Sequence, residues 1–108
     1  MTDIFVNEYG SKKPLYVNAE FNVASATSAT LHGSASAGTF SATASVLGAN
    51  YTTSAGDVFS ANKAFVVVFT SGVFSGQADT YRCWIEANFA ASRLYSSNFK
   101  FKVSNPGD

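Results

Sequence analysis

The chain carries one cysteine, one histidine and one tryptophan, and two of these three lie side by side in Asp79-Thr80-Tyr81-Arg82-Cys83-Trp84. A nucleophilic enzyme needs a nucleophile, a base and a group that orients the base. Serines are plentiful, but His32 stands in a stretch of small residues and reads as a surface or edge histidine. A zinc-type centre needs three or four clustered ligands, and the seven carboxylates show no ligand spacing around His32 or Cys83. Asp57 and Asp79 sit beside turn residues and read as turn formers. No glycine-rich loop leads into a helical pattern, so no phosphate cradle is visible. Cys83 falls between Tyr81 and Ile85 on one side of an alternating run, where a buried thiol among apolar groups is inert. With no second cysteine, no intramolecular disulfide can form. These residues predict a non-enzymatic protein with no metal and no cofactor.

The aromatic and branched residues on the opposite parity carry more. If Tyr81, Cys83 and Ile85 face a core, Trp84 faces away from it, between Arg82 and Glu86. Tyr16 is outward by the same argument, and so are Val66 and Val68 in the wholly apolar stretch 64–69. Tryptophan is enriched at the energetic centres of interfaces. Trp84, Tyr16, Val66 and Val68 are therefore the candidate contact residues. For Trp84 three settings are open: under a loop of its own subunit, in a contact between subunits, or as a platform for a sugar ring. A sugar platform shared with Tyr95 is disfavoured, because alternation through Tyr95, Ser97, Phe99, Phe101 and Val103 points Tyr95 inward.

Strands must position these residues, since period-two alternation recurs and no ten-residue stretch shows a capped helical period. The clearest runs are 15–23, 81–89 and 95–103. Residues 64–69 are apolar on both faces, as in a strand buried on both sides or covered by a partner. Weaker strands are expected at 29–34 and 39–47, with short edge strands at 4–7 and 51–53. Turn residues separate them, among them Ala37-Gly38, Gly48-Ala49-Asn50 and Gly56-Asp57. Seven to eight short antiparallel strands at this spacing predict an all-β sandwich. Residues 1–103 form one domain, and 104–108 read as a flexible tail.

Alanine, serine and threonine make up more than a third of the chain, which suits flat, tightly packed β surfaces. Net charge is zero and 13% of residues are charged, which lacks the footprint of a nucleic-acid binder. The longest apolar run is far short of a membrane span. The N-terminus has neither the basic nor the apolar region of a secretory leader, and the expectation is a protein made in the cytoplasm.

Tyr81, at the head of its run and two residues before Cys83, has the local pattern of the tyrosine corner in immunoglobulin-like sandwiches. There the phenol bonds back to nearby backbone. Tyr81 and Cys83 are accordingly the structural residues of the motif. The stretch from Gly76 to Val103 resembles the last hairpin of immunoglobulin-like domains in phage structural proteins. It runs through Thr80-Tyr81-Arg82-Cys83-Trp84-Ile85, a turn bearing Arg93, and then Phe99-Lys100-Phe101-Lys102-Val103. It is most similar to the N-terminal domains of upper-baseplate and tail-fibre proteins, with Ala78-Asp79 in place of their usual glycine. The resemblance implies an immunoglobulin-like β-sandwich and a non-enzymatic virion subunit, assembled in the host cytoplasm. Its partners would be other virion proteins or further copies of itself, with no nucleic acid and no membrane. A capsid cement or decoration protein is the second structural reading. A carbohydrate-binding module is the third.

Overall fold

The alternating runs are assembled into a curled sheet whose concave face is the core. The computed structural model describes residues 4–5, 9–10, 14–19, 21–70, 73 and 78–105. Ten strands are present among them: β1 (Ile4–Phe5), β2 (Leu15–Asn18), β3 (Ser28–Ala35), β4 (Gly38–Val46), β5 (Tyr51–Thr52), β6 (Val58–Phe59), β7 (Ala64–Val67), β8 (Asp79–Asn88), β9 (Arg93–Tyr95) and β10 (Phe99–Ser104). The main sheet runs β1-β10-β8-β3-β4-β7-β2, with β9 also pairing to β8, while β5 and β6 form a separate hairpin. Every pairing is antiparallel except β1 with β10. The chain is all-β, and its cysteine is free.

Curling is required by the ring contacts. Phe69, just beyond β7, stacks on Phe101 of β10 with centroids 5.6 Å apart, although β4, β3 and β8 lie between those strands in the sheet. Phe40 of β4 meets Phe69 at 6.3 Å and Tyr81 at 5.0 Å, both edge to face. Leu31, Phe65, Val67, Ile85 and Val103 complete the fully buried centre. Edge-to-face and offset pairs of this kind add to the burial of the rings themselves.

Two predicted strands differ from what alternation suggested. The run 15–23 is a strand only to Asn18. Beyond it Asn22 Oδ1 accepts from the Ala24 amide at 2.9 Å, and the Val23 amide donates to the Asn62 carbonyl at 2.8 Å. Val23 is thus fully buried from an irregular segment, because a local side-chain bond competes with the ladder. The run 95–103 is two strands out of phase. Tyr95 pairs with Glu86, whereas Phe99 pairs with Cys83. Three residues, Ser96, Ser97 and Asn98, therefore stand opposite Trp84 and Ile85. That one-residue excess is a β-bulge. β10 also runs through Ser104, one residue into the expected tail, and 106–108 lie outside the described residues. Of the short edge strand at 4–7, the part beyond Phe5 lies outside them too.

The bulge is held by a buried serine. The Ser96 amide donates to the Ile85 carbonyl at 2.9 Å, and Ser96 Oγ accepts from the Ile85 amide at 2.8 Å. The same hydroxyl donates to the Ser97 carbonyl at 3.1 Å.

Gly33 owes its place to packing rather than to its backbone angle. It pairs with Phe40 across β3 and β4, and a methyl group on it would run into the Cε1–Cζ edge of that ring. Phe40 is held by Tyr81 and Phe69, so the ring has little room to retreat. Gly33→Ala should therefore lower the unfolding free energy in urea by about 1–3 kcal/mol, the usual cost of overpacking. In a Phe40→Ala background the same change should cost clearly less, and equal costs in the two backgrounds would contradict the contact.

Candidate functional site

The four candidate contact residues fall on two separate surfaces. Tyr16, Val66 and Val68 gather at the β2–β7 end of the sheet. Val66 of β7 lies opposite Tyr16 on one side and Ser45 of β4 on the other. Tyr16 is not a free contact residue. Its ring stacks on Tyr51 at 4.4 Å and leans on Phe59 at 5.4 Å, so it clamps the β5–β6 hairpin onto the outer face. Val66 is half-buried beside it, while Val68 is 42% exposed and Val58, at the tip side of the hairpin, 58%.

Next to this cluster a groove of about 540 Å³ follows β2 from Pro14 to Asn18, walled by Asp57 and Phe59 of the hairpin segment and by Phe99 of β10. Phe99 reaches this groove because the curl leaves a seam between β2 and β10. β2 pairs with β7, and among the described residues no strand pairs with its other edge. The groove therefore combines an apolar wall with unpaired backbone.

Trp84 lies three strands away from β7, on the outer face of β8. It sits opposite His32 of β3, and the two rings stack at 5.6 Å with 21° between their planes. His32 is half-buried on a central strand, not at an edge, and its Nε2 lies 3.5 Å from Glu86 Oε1. Glu86 Oε2 also meets Arg93 Nε at 3.7 Å and accepts from Asn88 Nδ2 at 3.2 Å. Arg93 Nε in turn donates to Asn88 Oδ1 at 2.9 Å. This end of the outer face is satisfied by its own side chains. No serine hydroxyl among the described residues bonds to His32.

The bulge reverses the expectation for Tyr95. Its pairing with Glu86 puts it on the outer face, 54% exposed, and it lines one depression with Trp84, Arg82, Ser34, Ser96 and Asn98. The signal in the sequence was Ser97, a polar residue at a position that alternation assigned to the core.

Tyr81 and Cys83 are buried on the inner face of β8. Most of the loop ahead of β8, which would supply the backbone acceptor of a tyrosine corner, lies outside the described residues. Burial, then the charge of Asp79 and then Cys83, raise the Tyr81 phenol above its ordinary range. Burial pushes the Cys83 thiol from 9.0 up to about 12. Asp79 ties β8 to the β3–β4 turn, its Oδ2 accepting from the Ala37 amide at 3.1 Å and its Oδ1 from the Thr80 amide at 2.8 Å. Asp57 closes the hairpin loop through its backbone, which bonds the Thr53 hydroxyl and amide. Among the described residues no three His, Cys, Asp or Glu side chains cluster as metal ligands.

No protein-family profile, curated protein or solved structure matches the chain.

The Cys83 environment fixes a chemical outcome. At about pH 8 the native thiol should resist iodoacetamide and react once urea unfolds the chain, because only the thiolate attacks. Both raised groups stay protonated in the fold and ionise earlier when unfolded. Stability should thus hold up to about pH 9 and fall as pH rises toward the native value near 12. Rapid alkylation of the folded protein, or stability that rises over that interval, would contradict this burial.

Proposed function

We propose that the protein is a non-enzymatic structural subunit of a phage virion, an adaptor in the tail, baseplate or fibre that works through protein–protein contacts. The hairpin from Gly76 to Val103 supports the phage reading by its resemblance to domains of that class. Strand order supports it as well. The orders β10-β8-β3 and β7-β2 are those expected of the two halves of an immunoglobulin-like sandwich, joined here through β4 into one curled sheet, and Tyr81 and Cys83 are buried on β8.

The observation that carries the contact role is the groove along β2. An unpaired strand edge is a template for another chain, and strand addition draws affinity from backbone bonds and specificity from flanking pockets. Here the edge is flanked by Phe59 and Phe99, with exposed Val58 and Val68 nearby. Scattered apolar residues are ordinary, but apolar groups beside an open edge mark an interaction site.

Antibody raised against the purified chain should label the tail end of intact virions in electron micrographs. Label confined to heads would assign it to capsid decoration, and absence from purified particles would contradict the virion role. At the contact surface, Val58→Lys with Val68→Lys should abolish incorporation while leaving the thermal transition unchanged, since both side chains are exposed. Incorporation at the normal level would exclude this surface.

A further inference from the structure

We infer that the outer face around Trp84 and Tyr95 is a binding site for an acidic saccharide, separate from the assembly surface and independent of the virion reading. Three observations converge on it.

The first is shape and aromatic content. Trp84 and Tyr95 line one depression of about 400 Å³, within the ~300–1,000 Å³ range of small-molecule sites. The indole is braced by His32, so little side-chain entropy is lost when a ring settles on it. Sugar rings present a face of C–H groups that packs on an aromatic plane and a rim of hydroxyls that needs hydrogen bonds.

The second is the state of the polar groups. Among the described residues, the Arg82 guanidinium, the Asn98 amide, the Ser34 and Tyr95 hydroxyls and the Trp84 indole N–H have no hydrogen-bond or ion-pair partner. Along the same face, Glu86, Asn88 and Arg93 are bonded to one another. The five unpartnered groups line the depression, where they can serve a hydroxylated ligand.

The third is charge. Arg82 lies directly opposite Lys100, and Lys102 opposite Thr80 on the same face. Like charges in direct cross-strand register are destabilising, and no carboxylate among the described residues lies within ion-pair distance of Arg82 or Lys100. Arg82 and Ser34 also line a second depression that leads to Lys100. A carboxylate or sulfate group there would relieve the repulsion, with Arg82 able to bind it in two-pronged fashion. The ligand then spans both depressions, its ring on Trp84 and its charge between Arg82 and Lys100. A nucleic acid would also supply rings and negative charge. Three cations in a chain of zero net charge make too small an electrostatic footprint for it.

Trp84 is the only tryptophan, so intrinsic fluorescence reports this site alone. The full chain is titrated with tetragalacturonate, a heparin tetrasaccharide and sialyllactose, then with methyl-esterified tetragalacturonate and oligothymidylate. At least one acidic saccharide should shift the Trp84 emission saturably. If that one is tetragalacturonate, esterification should weaken binding by about tenfold or more. Arg82→Gln and Tyr95→Ala should each weaken the best ligand by about tenfold, whereas Arg93→Gln should leave it unchanged. Near-UV circular dichroism confirms that each variant is folded. Silence with all three acidic saccharides, equal binding of the neutral ester, tighter binding of oligothymidylate, or an Arg82→Gln variant that binds normally would each overturn the inference.

Discussion

One extra residue in the strand beside β8 sets the character of both faces of this protein. The bulge at Ser96 places Tyr95 on the outer face while Phe101 and Val103 enter the core. A continuous strand cannot do both, because a one-residue shift exchanges the two faces. The bulge is held by the two bonds between Ser96 and Ile85, with the hydroxyl also donating to the Ser97 carbonyl. Each bond is worth only about 0.5–1.5 kcal/mol net, but leaving the buried Ile85 amide unpaired would cost about 1–3 kcal/mol. Ser96 is thus a small residue with a large effect on register.

The inner face follows from small residues set against large ones. Gly33, Ala29, Ala44 and Ala87 are buried beside Phe40, Phe65, Phe69, Phe101 and Tyr81. Rings from opposite ends of the sheet can meet across the core because the residues beneath them are small. This gives the alanine- and serine-rich composition a packing role in the core as well as on the surface. The outer face divides differently. Around Glu86 the polar groups bond one another, around Tyr16 the aromatic rings hold the hairpin, and around Arg82 and Trp84 a cation, an amide and an indole N–H are left without a partner among the described residues. The proposed assembly surface and the proposed saccharide site therefore lie on different strands.

Much of the fold was legible in the sequence where alternation is uninterrupted. Tyr81, Cys83, Ile85 and Ala87 all face inward on β8, and Phe65 and Val67 do so on β7. The missing disulfide follows from the cysteine count. Alternation failed where apolar residues keep the right parity without being in one strand. Phe21 and Val23 continue the phase of Leu15 and Val17, although the chain has already left the ladder at Asn18. Tyr95 continues the phase of Phe99 in the same misleading way. The two-residue strand β6 carries too few positions to show any period. At the site, outward Trp84 was readable from parity alone. Its neighbours were not, because the partnership of Trp84 with His32, Arg82 with Lys100 and Tyr16 with Tyr51 depends on strand order and on where a hairpin lands.

Both faces depend on the register change between β9 and β10, and cross-strand nuclear Overhauser contacts in the isotope-labelled protein measure it directly. The bulged register pairs Tyr95 with Glu86 and Phe99 with Cys83. Contacts linking both pairs are the expected result. A spectrum that pairs Tyr95 with Glu86 but Phe99 with Arg82 would describe an uninterrupted strand with no extra residue at Ser96, and would contradict the account of both faces.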